Sequence, residues 1–180
     1  MPTNDDRIEK GLRMARNAIY QAIWRQMKVL SVELVRRAVE DYNGCNLTGN
    51  TLTSISAGLY DIDSPFPIIL NAVDVIGLEE PIWHKLTAGD IWEGEDYDGN
   101  IREGFRAKIN TDEGSGIGTS FSFLMGYKLP AGVSLGIVVC TGTEYSEYLT
   151  KEEDLKYDVL IGASKAAPSM AQSQWKKIKV

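Results

Sequence analysis

A chain of 180 residues is long enough for one sizeable core and too short for two ordinary domains, so a single domain over 1–180 is expected. Apolar residues make up 43% and charged residues 24%, a balance that excludes wholesale disorder. The net charge of −6 is unevenly held: residues 1 to 43 carry eight Lys or Arg against six Asp or Glu, and residues 44 to 180 carry eleven against nineteen. Free polynucleotide is thereby excluded as a partner of the acidic body, because binding phosphates needs a basic face. An acidic surface can still line a conduit for DNA, where repulsion prevents sticking.

The first predicted element runs from Asp5 to Tyr42. Ile8, Leu12, Ala15, Ile19, Ile23, Met27, Leu30, Leu34 and Ala38 recur at steps of three and four, the period of an amphipathic helix. Asn4, Asp5 and Asp6 are cap candidates at its start, and Asn43-Gly44 is the expected stop. Unbroken, such a helix measures about 57 Å, whereas a compact domain of this length spans roughly 40 Å, from a radius of gyration of about 16 Å. Either the helix breaks around Lys28 to Ser31, or its apolar stripe projects past its own core and is covered by a neighbouring subunit.

After Gly44 the composition turns to Thr, Ser, Ile, Val, Tyr and Gly. Candidate strands are Thr51 to Tyr60, Pro67 to Val75, Phe105 to Asn110, Ser120 to Tyr127, Ser134 to Thr141 and Tyr157 to Ile161. Turn-forming clusters at residues 61–65, 97–100, 113–116 and 130–132 separate them. Glu144 to Tyr148 is a candidate helical turn. Ala163 to Lys177 reads as a short helix or a loose tail, with Pro168 an early helical position or a breaker. The expected fold is α+β: a helical arm over 1–43 packed on a small antiparallel sheet or barrel in a β-rich body over 44–162, then a helix or tail over 163–180.

Motifs for chemistry are sparse. The single His84 lies between Trp83 and Lys85 without a nearby Cys, Ser or second His, and reads as a packed or surface histidine. Cys45 and Cys140 lack metal-ligand spacing and read as two reduced thiols that pair only if the fold brings them together. The acidic stretch from Asp90 to Asn100 resembles a calcium loop in composition but not in spacing, and reads as a solvated loop. Gly114 to Ser120 resembles a phosphate cradle, but a β-prone run follows and no P-loop lysine is present, so a hairpin tip is expected. Trp24, Trp83, Trp92 and Trp175 are core or interface anchors. No catalytic set, cofactor or metal is expected. No apolar run approaches the roughly 20 residues of a membrane-spanning helix, and the polar, acidic Met1 to Asp6 lacks the features of a secretory signal.

Two short stretches remain. Thr48-Gly49-Asn50 followed by Ser54-Ile55 resembles the Thr-Gly-(Asn/Arg)-Leu-x-x-Ser-Ile signature of the tail-completion, or neck, proteins of tailed bacteriophages, which follows an N-terminal helix and opens the first strand. Ile137-Val138-Val139, then Gly142-Thr143 and Tyr145-Ser146-Glu147-Tyr148, is similar to that family's later Val-Gly-Thr-x-x-x-Tyr-Ala-x-Tyr-Val-Glu strand and turn. Departures are Leu52 one place late, Ser146 for alanine, Leu149-Thr150 for valine and glutamate, and a long segment from Ile62 to Leu129. The resemblance implies a non-enzymatic virion protein, made in the host cytoplasm. It implies a closed ring of identical subunits at the head–tail junction, joining the portal or an adjacent neck protein to the tail. DNA would pass through without specific binding, and no membrane would be involved. Candidate turn and interface residues are then Thr48, Gly49, Asn50, Ser54, Ile55, Thr143, Tyr145, Glu147 and Tyr148. In helical form Tyr145 and Tyr148 share a face, where they could meet a neighbour or close the protein's own core. Competing readings are a soluble module binding calcium at residues 90–100 or a glycan on the sheet, and a hydrolase using carboxylates such as Glu93 and Glu103.

Overall fold

A computed structural model describes residues 3–42, 50–85, 87, 116–143 and 159–179. The expectations for Cys45, for the strand at 105–110, for the acidic loop with Glu93 and Glu103, for Trp92 and for the turn at 144–148 lie outside the described residues.

Helix α1 (Asn4–Asp41) is one continuous element of 38 residues, so the break considered near Lys28 to Ser31 does not occur. Its start differs from expectation by one residue. Thr3, rather than Asn4 to Asp6, is the cap: its hydroxyl accepts from the Asp6 N–H at 3.2 Å, while the Asp6 carboxylate takes the Thr3 N–H at 2.7 Å. This reciprocal capping box satisfies two donors that the first turn leaves open, and Asp5 and Asp6 oppose the helix dipole. Downstream of Ile19 the helix packs inward through Ala22, Met27, Leu30, Ser31, Leu34, Val35 and Ala38.

A buried helical turn, α2 (Asn50–Ser54), leads into the sheet. The strand expected from Thr51 therefore begins only at Ser56, because residues 50–54 close local hydrogen bonds, including Ser54 Oγ to the Thr51 carbonyl at 2.9 Å. Strands β1 (Ser56–Asp61), β2 (Ile68–Asn71), β3 (His84–Lys85) and β4 (Leu135–Cys140) form an antiparallel sheet in the order β3-β2-β1-β4. Central β1 opposes β4 from Ser56↔Cys140 to Asp61↔Leu135. β2 is shorter than the expected Pro67 to Val75, since a 3-10 turn over Ala72–Asp74 follows at once.

The largest difference is α3 (Gly116–Gly126), where a hairpin tip and then a strand were expected. Its buried residues Gly116, Ile117, Ser120, Phe121 and Leu124 fall on one helical face, and Phe123, which an alternating strand would place beside Phe121, is 51% exposed against 2%. Helix α4 (Ile161–Trp175) closes the described chain, so the strand expected to end at Ile161 gives way to a helix start. Pro168 lies in the middle of α4 and neither opens nor ends it. An interior proline costs a helix about 3 kcal/mol. Here packing against α1 outweighs that cost, with Ala163 and Gln174 buried and the Gln174 amide donating to both oxygens of Glu33 at 2.7 and 2.8 Å.

The sheet is covered on both faces. Tyr60 donates its hydroxyl to the Leu124 carbonyl at 2.7 Å and Cys140 Sγ lies 3.9 Å from the Ser120 carbonyl, which marks the face under α3. Asp61 on the opposite face accepts from the Tyr20 hydroxyl of α1. Being covered on both sides, β1 is buried at successive positions from Ser56 to Tyr60 rather than at alternate ones. The result is the α+β fold expected: a long helix on a small antiparallel sheet, with a short C-terminal helix.

Candidate functional site

The two sequence stretches meet at the junction of α2, β4 and α3. Ser54 Oγ lies 2.7 Å from Thr141 Oγ1, across 87 residues of chain, and Thr141 Oγ1 lies 3.3 Å from Thr143 Oγ1. A hydroxyl has one proton to give. Ser54 spends its proton on the Thr51 carbonyl, so Thr141 donates to Ser54 and accepts from Thr143. Ser120 adds a donated bond of 2.5 Å to the Ser54 carbonyl, and the Gly116 N–H donates to Asn50 Oδ1 at 3.2 Å. The backbone at Gly142 sits so close to α3 that a Cβ there would collide with the Gly116 carbonyl and stand 2.7 Å from the Ser120 nitrogen.

Of the candidate residues, Ser54 and Ile55 are fully buried, Thr143 is 4% exposed and Asn50 is partly buried. Ser54 and Thr143 join this polar seam. Ile55 belongs to the hydrophobic core, and its carbonyl accepts from the Ala72 N–H at 2.9 Å. Thr48, Gly49, Tyr145, Glu147 and Tyr148 lie outside the described residues. The buried members of the two motifs are thus engaged in holding α2, β1, β4 and α3 together.

Sequence reasoning missed Asn71. Fully buried, it donates to the Thr53 carbonyl at 2.8 Å, the Ile55 carbonyl at 3.2 Å and Ser56 Oγ at 2.8 Å, while its Oδ1 caps the following turn by accepting from the Val73 N–H. A lone amide in the apolar run Ile68 to Val73 was the available signal. Thr141 and Ser120 were missed as well, since nothing local distinguishes a seam hydroxyl from a surface one.

The seam offers hydroxyls, carbonyls and amides. Beside it, burial pushes the Cys140 thiol up to about 12, opposed only in part by the side chain of Ser120, so the thiolate that would react is disfavoured. His84 pairs through Nε2 with Asp74 Oδ2 at 2.7 Å and lies edge-on to Phe121 at 5.4 Å, a half-buried packed histidine. Among the described residues no group of three His, Cys, Asp or Glu could hold a metal ion. Among them, too, no helix is long and apolar enough to cross a membrane.

The second feature is the arm. Residues 4–19 of α1 are exposed throughout, about 24 Å of helix. Ile8, Leu12, Met14 and Ile19 are 55%, 67%, 63% and 42% exposed. The arm is rooted by Tyr20, which stacks on Trp24 with ring centroids 6.1 Å apart and bonds to Asp61. Desolvation first, and then the bond to Asp61 with the nearby carboxylates, raises the Tyr20 phenol to about 12. Further along α1, Lys28 Nζ lies 5.2 Å from the centre of the half-buried Trp83 ring. Trp175, at the end of α4, is 46% exposed.

No protein-family model, curated protein or solved structure matches the chain.

Proposed function

We propose that this chain is a structural protein of a tailed-phage virion, a non-enzymatic subunit of a ring at the head–tail junction that joins portal to tail around the DNA channel. The observation that carries the reading is the arm: a continuous helix presents Ile8, Leu12, Met14 and Ile19 to solvent well beyond the part of α1 that its own core covers. Full burial of an aliphatic side chain is worth about 1.5–3 kcal/mol, so copies of the chain gain by covering one another's arms. Head-to-tail contacts of this kind close into a ring when the rotation allows. The motif resemblance supplies the phage context, and Ser54 and Thr143, one from each of its two parts, are linked through Thr141 in the seam. An acidic body suits a channel through which DNA slides without adhering.

The test is the mass of the purified protein alone and with portal. A closed oligomer of fixed copy number that binds portal is expected. A strict monomer that ignores portal overturns the reading.

A further inference from the structure

We propose that the arm grips duplex DNA by its phosphates, through a ribbon of cations on the side away from its apolar stripe. Arg7, Lys10, Arg13 and Arg16 are all exposed. Among the described residues, none of the four has an ion-pair or hydrogen-bond partner for its side chain. Nearer the body the cations of α1 are engaged: Arg25 Nε donates to the Gln21 carbonyl, Lys28 lies over the Trp83 ring and Arg37 pairs with Asp41. From Arg7 to Lys28 the helix holds six basic residues against Glu9 alone. Asp5 and Asp6 sit at the tip, where the capping box takes up the Asp6 carboxylate.

Spacing turns these charges into a surface. A step of three residues falls about 60° short of a full turn, so the four fan across the half of the helix opposite Ile8, Leu12, Ala15 and Ile19, with Lys10 and Arg13 at the centre. They cover about 13.5 Å of helix axis. Duplex DNA carries one negative charge per about 1.7 Å of its own axis, which sets about eight phosphates against that length. Arg7, Arg13 and Arg16 bring guanidinium forks, whose planar geometry matches a phosphate. An arm exposed on every side can lie along the backbone with its apolar stripe still turned to a neighbouring copy.

Two other anionic partners fit less well. Among the described residues of the body, Asp61 is taken by Tyr20 and Asp74 by His84, which leaves Asp63 in one turn and Glu79 and Glu80 in another, rather than a continuous track. A helix lying on an anionic bilayer carries Trp, Phe and Leu along its apolar side, whereas residues 4–19 hold one leucine and no aromatic residue. The acidic body repels the same polymer that the arm holds, so the contact is confined to the arm and reads no sequence. It goes beyond the ring reading and rests on it only for a place at the channel.

Retardation of a short duplex of arbitrary sequence by the full-length protein, over a salt series, tests this. Four phosphate contacts give a slope of about −3.6 in log affinity against log salt for one arm, roughly a 150-fold loss between about 50 and 200 mM. Arg13→Glu combined with Arg16→Glu should lower affinity about tenfold or more and flatten the slope by about two, with the thermal midpoint unchanged because both residues are exposed. Lys176→Glu combined with Lys177→Glu, exposed beyond the end of α4, should bind as the parent does. No retention at about 50 mM salt, or retention that the arm variant leaves intact, overturns the proposal. So does polyglutamate that displaces the duplex at equal charge, which assigns the arm to an acidic protein. Binding to phosphatidylserine vesicles that Leu12→Asp abolishes, with the duplex ignored, assigns it to a membrane and overturns the proposal as well. Light scattering on the same samples separates this contact from the ring: a monomer that binds duplex through the arm upholds the contact and defeats the ring, and an oligomer that ignores duplex does the reverse.

Discussion

Ser54 and Thr141 stand 87 residues apart in the chain and share a hydrogen bond of 2.7 Å that joins the helical turn before β1 to the end of β4. Both chain segments also contact α3, Ser54 through the hydroxyl of Ser120 and the segment after β4 through Gly142. Removing either hydroxyl leaves a polar partner in a buried seam, which costs about 1–3 kcal/mol. Ser54→Ala and Thr141→Val should each lower stability in urea by that amount. The double variant should lose less than the sum, with a coupling of about 1 kcal/mol. Strict additivity would mean that the two side chains do not interact.

Gly142 tests the same junction sterically. A methyl group at this position has no room, because it would meet the backbone of Gly116 and of Ser120, which cannot swing aside, as well as Ser120 Oγ at 2.7 Å. Gly142→Ala should therefore destabilise by about 3 kcal/mol, at the high end for single substitutions. Gly118→Ala, where no heavy atom lies within 4 Å of the new Cβ, should be neutral or slightly stabilising in denaturant melts.

The two phenylalanines of α3 decide between helix and strand directly. Phe121 is 2% exposed and Phe123 is 51% exposed. Phe121→Ala should cost about 3–5 kcal/mol, while Phe123→Ala should change the stability of the monomer little. Equal losses at both positions in chemical denaturation would indicate the alternating pattern of a strand.

Cys140 gives a pH signature. Its folded-state pKa is raised from 9.0 to about 12, so between these values the folded chain holds a proton that the unfolded chain releases. The stability it contributes is complete below pH 9 and lost as pH rises toward 12. Unfolding free energy measured from pH 8 to 11 should fall more steeply in the parent than in Cys140→Ala. The native thiol should also resist alkylation at pH 8 until the chain unfolds.

How far the fold could be read in advance varied by element. The periodicity of α1 was plain because one stripe from Ile8 to Ala38 runs along most of the 38-residue helix, while its excess length over a compact core left a break and a projecting arm as equal options. β4 was legible from the β-branched run Ile137 to Val139. α3 was not. Its Gly, Thr, Ser and Phe residues are weak helix formers, and Ser120-Phe121-Ser122-Phe123 mimics alternation, so only tertiary packing of Ile117, Phe121 and Leu124 settles it as a helix. The seam was half legible: Ser54 and Thr143 were marked by motif, whereas Ser120, Thr141 and Asn71 join it through contacts that form only once the sheet exists.

The central claim is that the chain leaves apolar surface on its N-terminal helix for other copies to cover. Mass measured by light scattering across a concentration series tests it most directly, with the parent and Leu12→Asp run side by side. A discrete oligomer of one copy number for the parent, and a folded monomer for the variant, is the outcome the account requires. A parent that stays monomeric at every concentration, or an oligomer indifferent to Leu12→Asp, would contradict it.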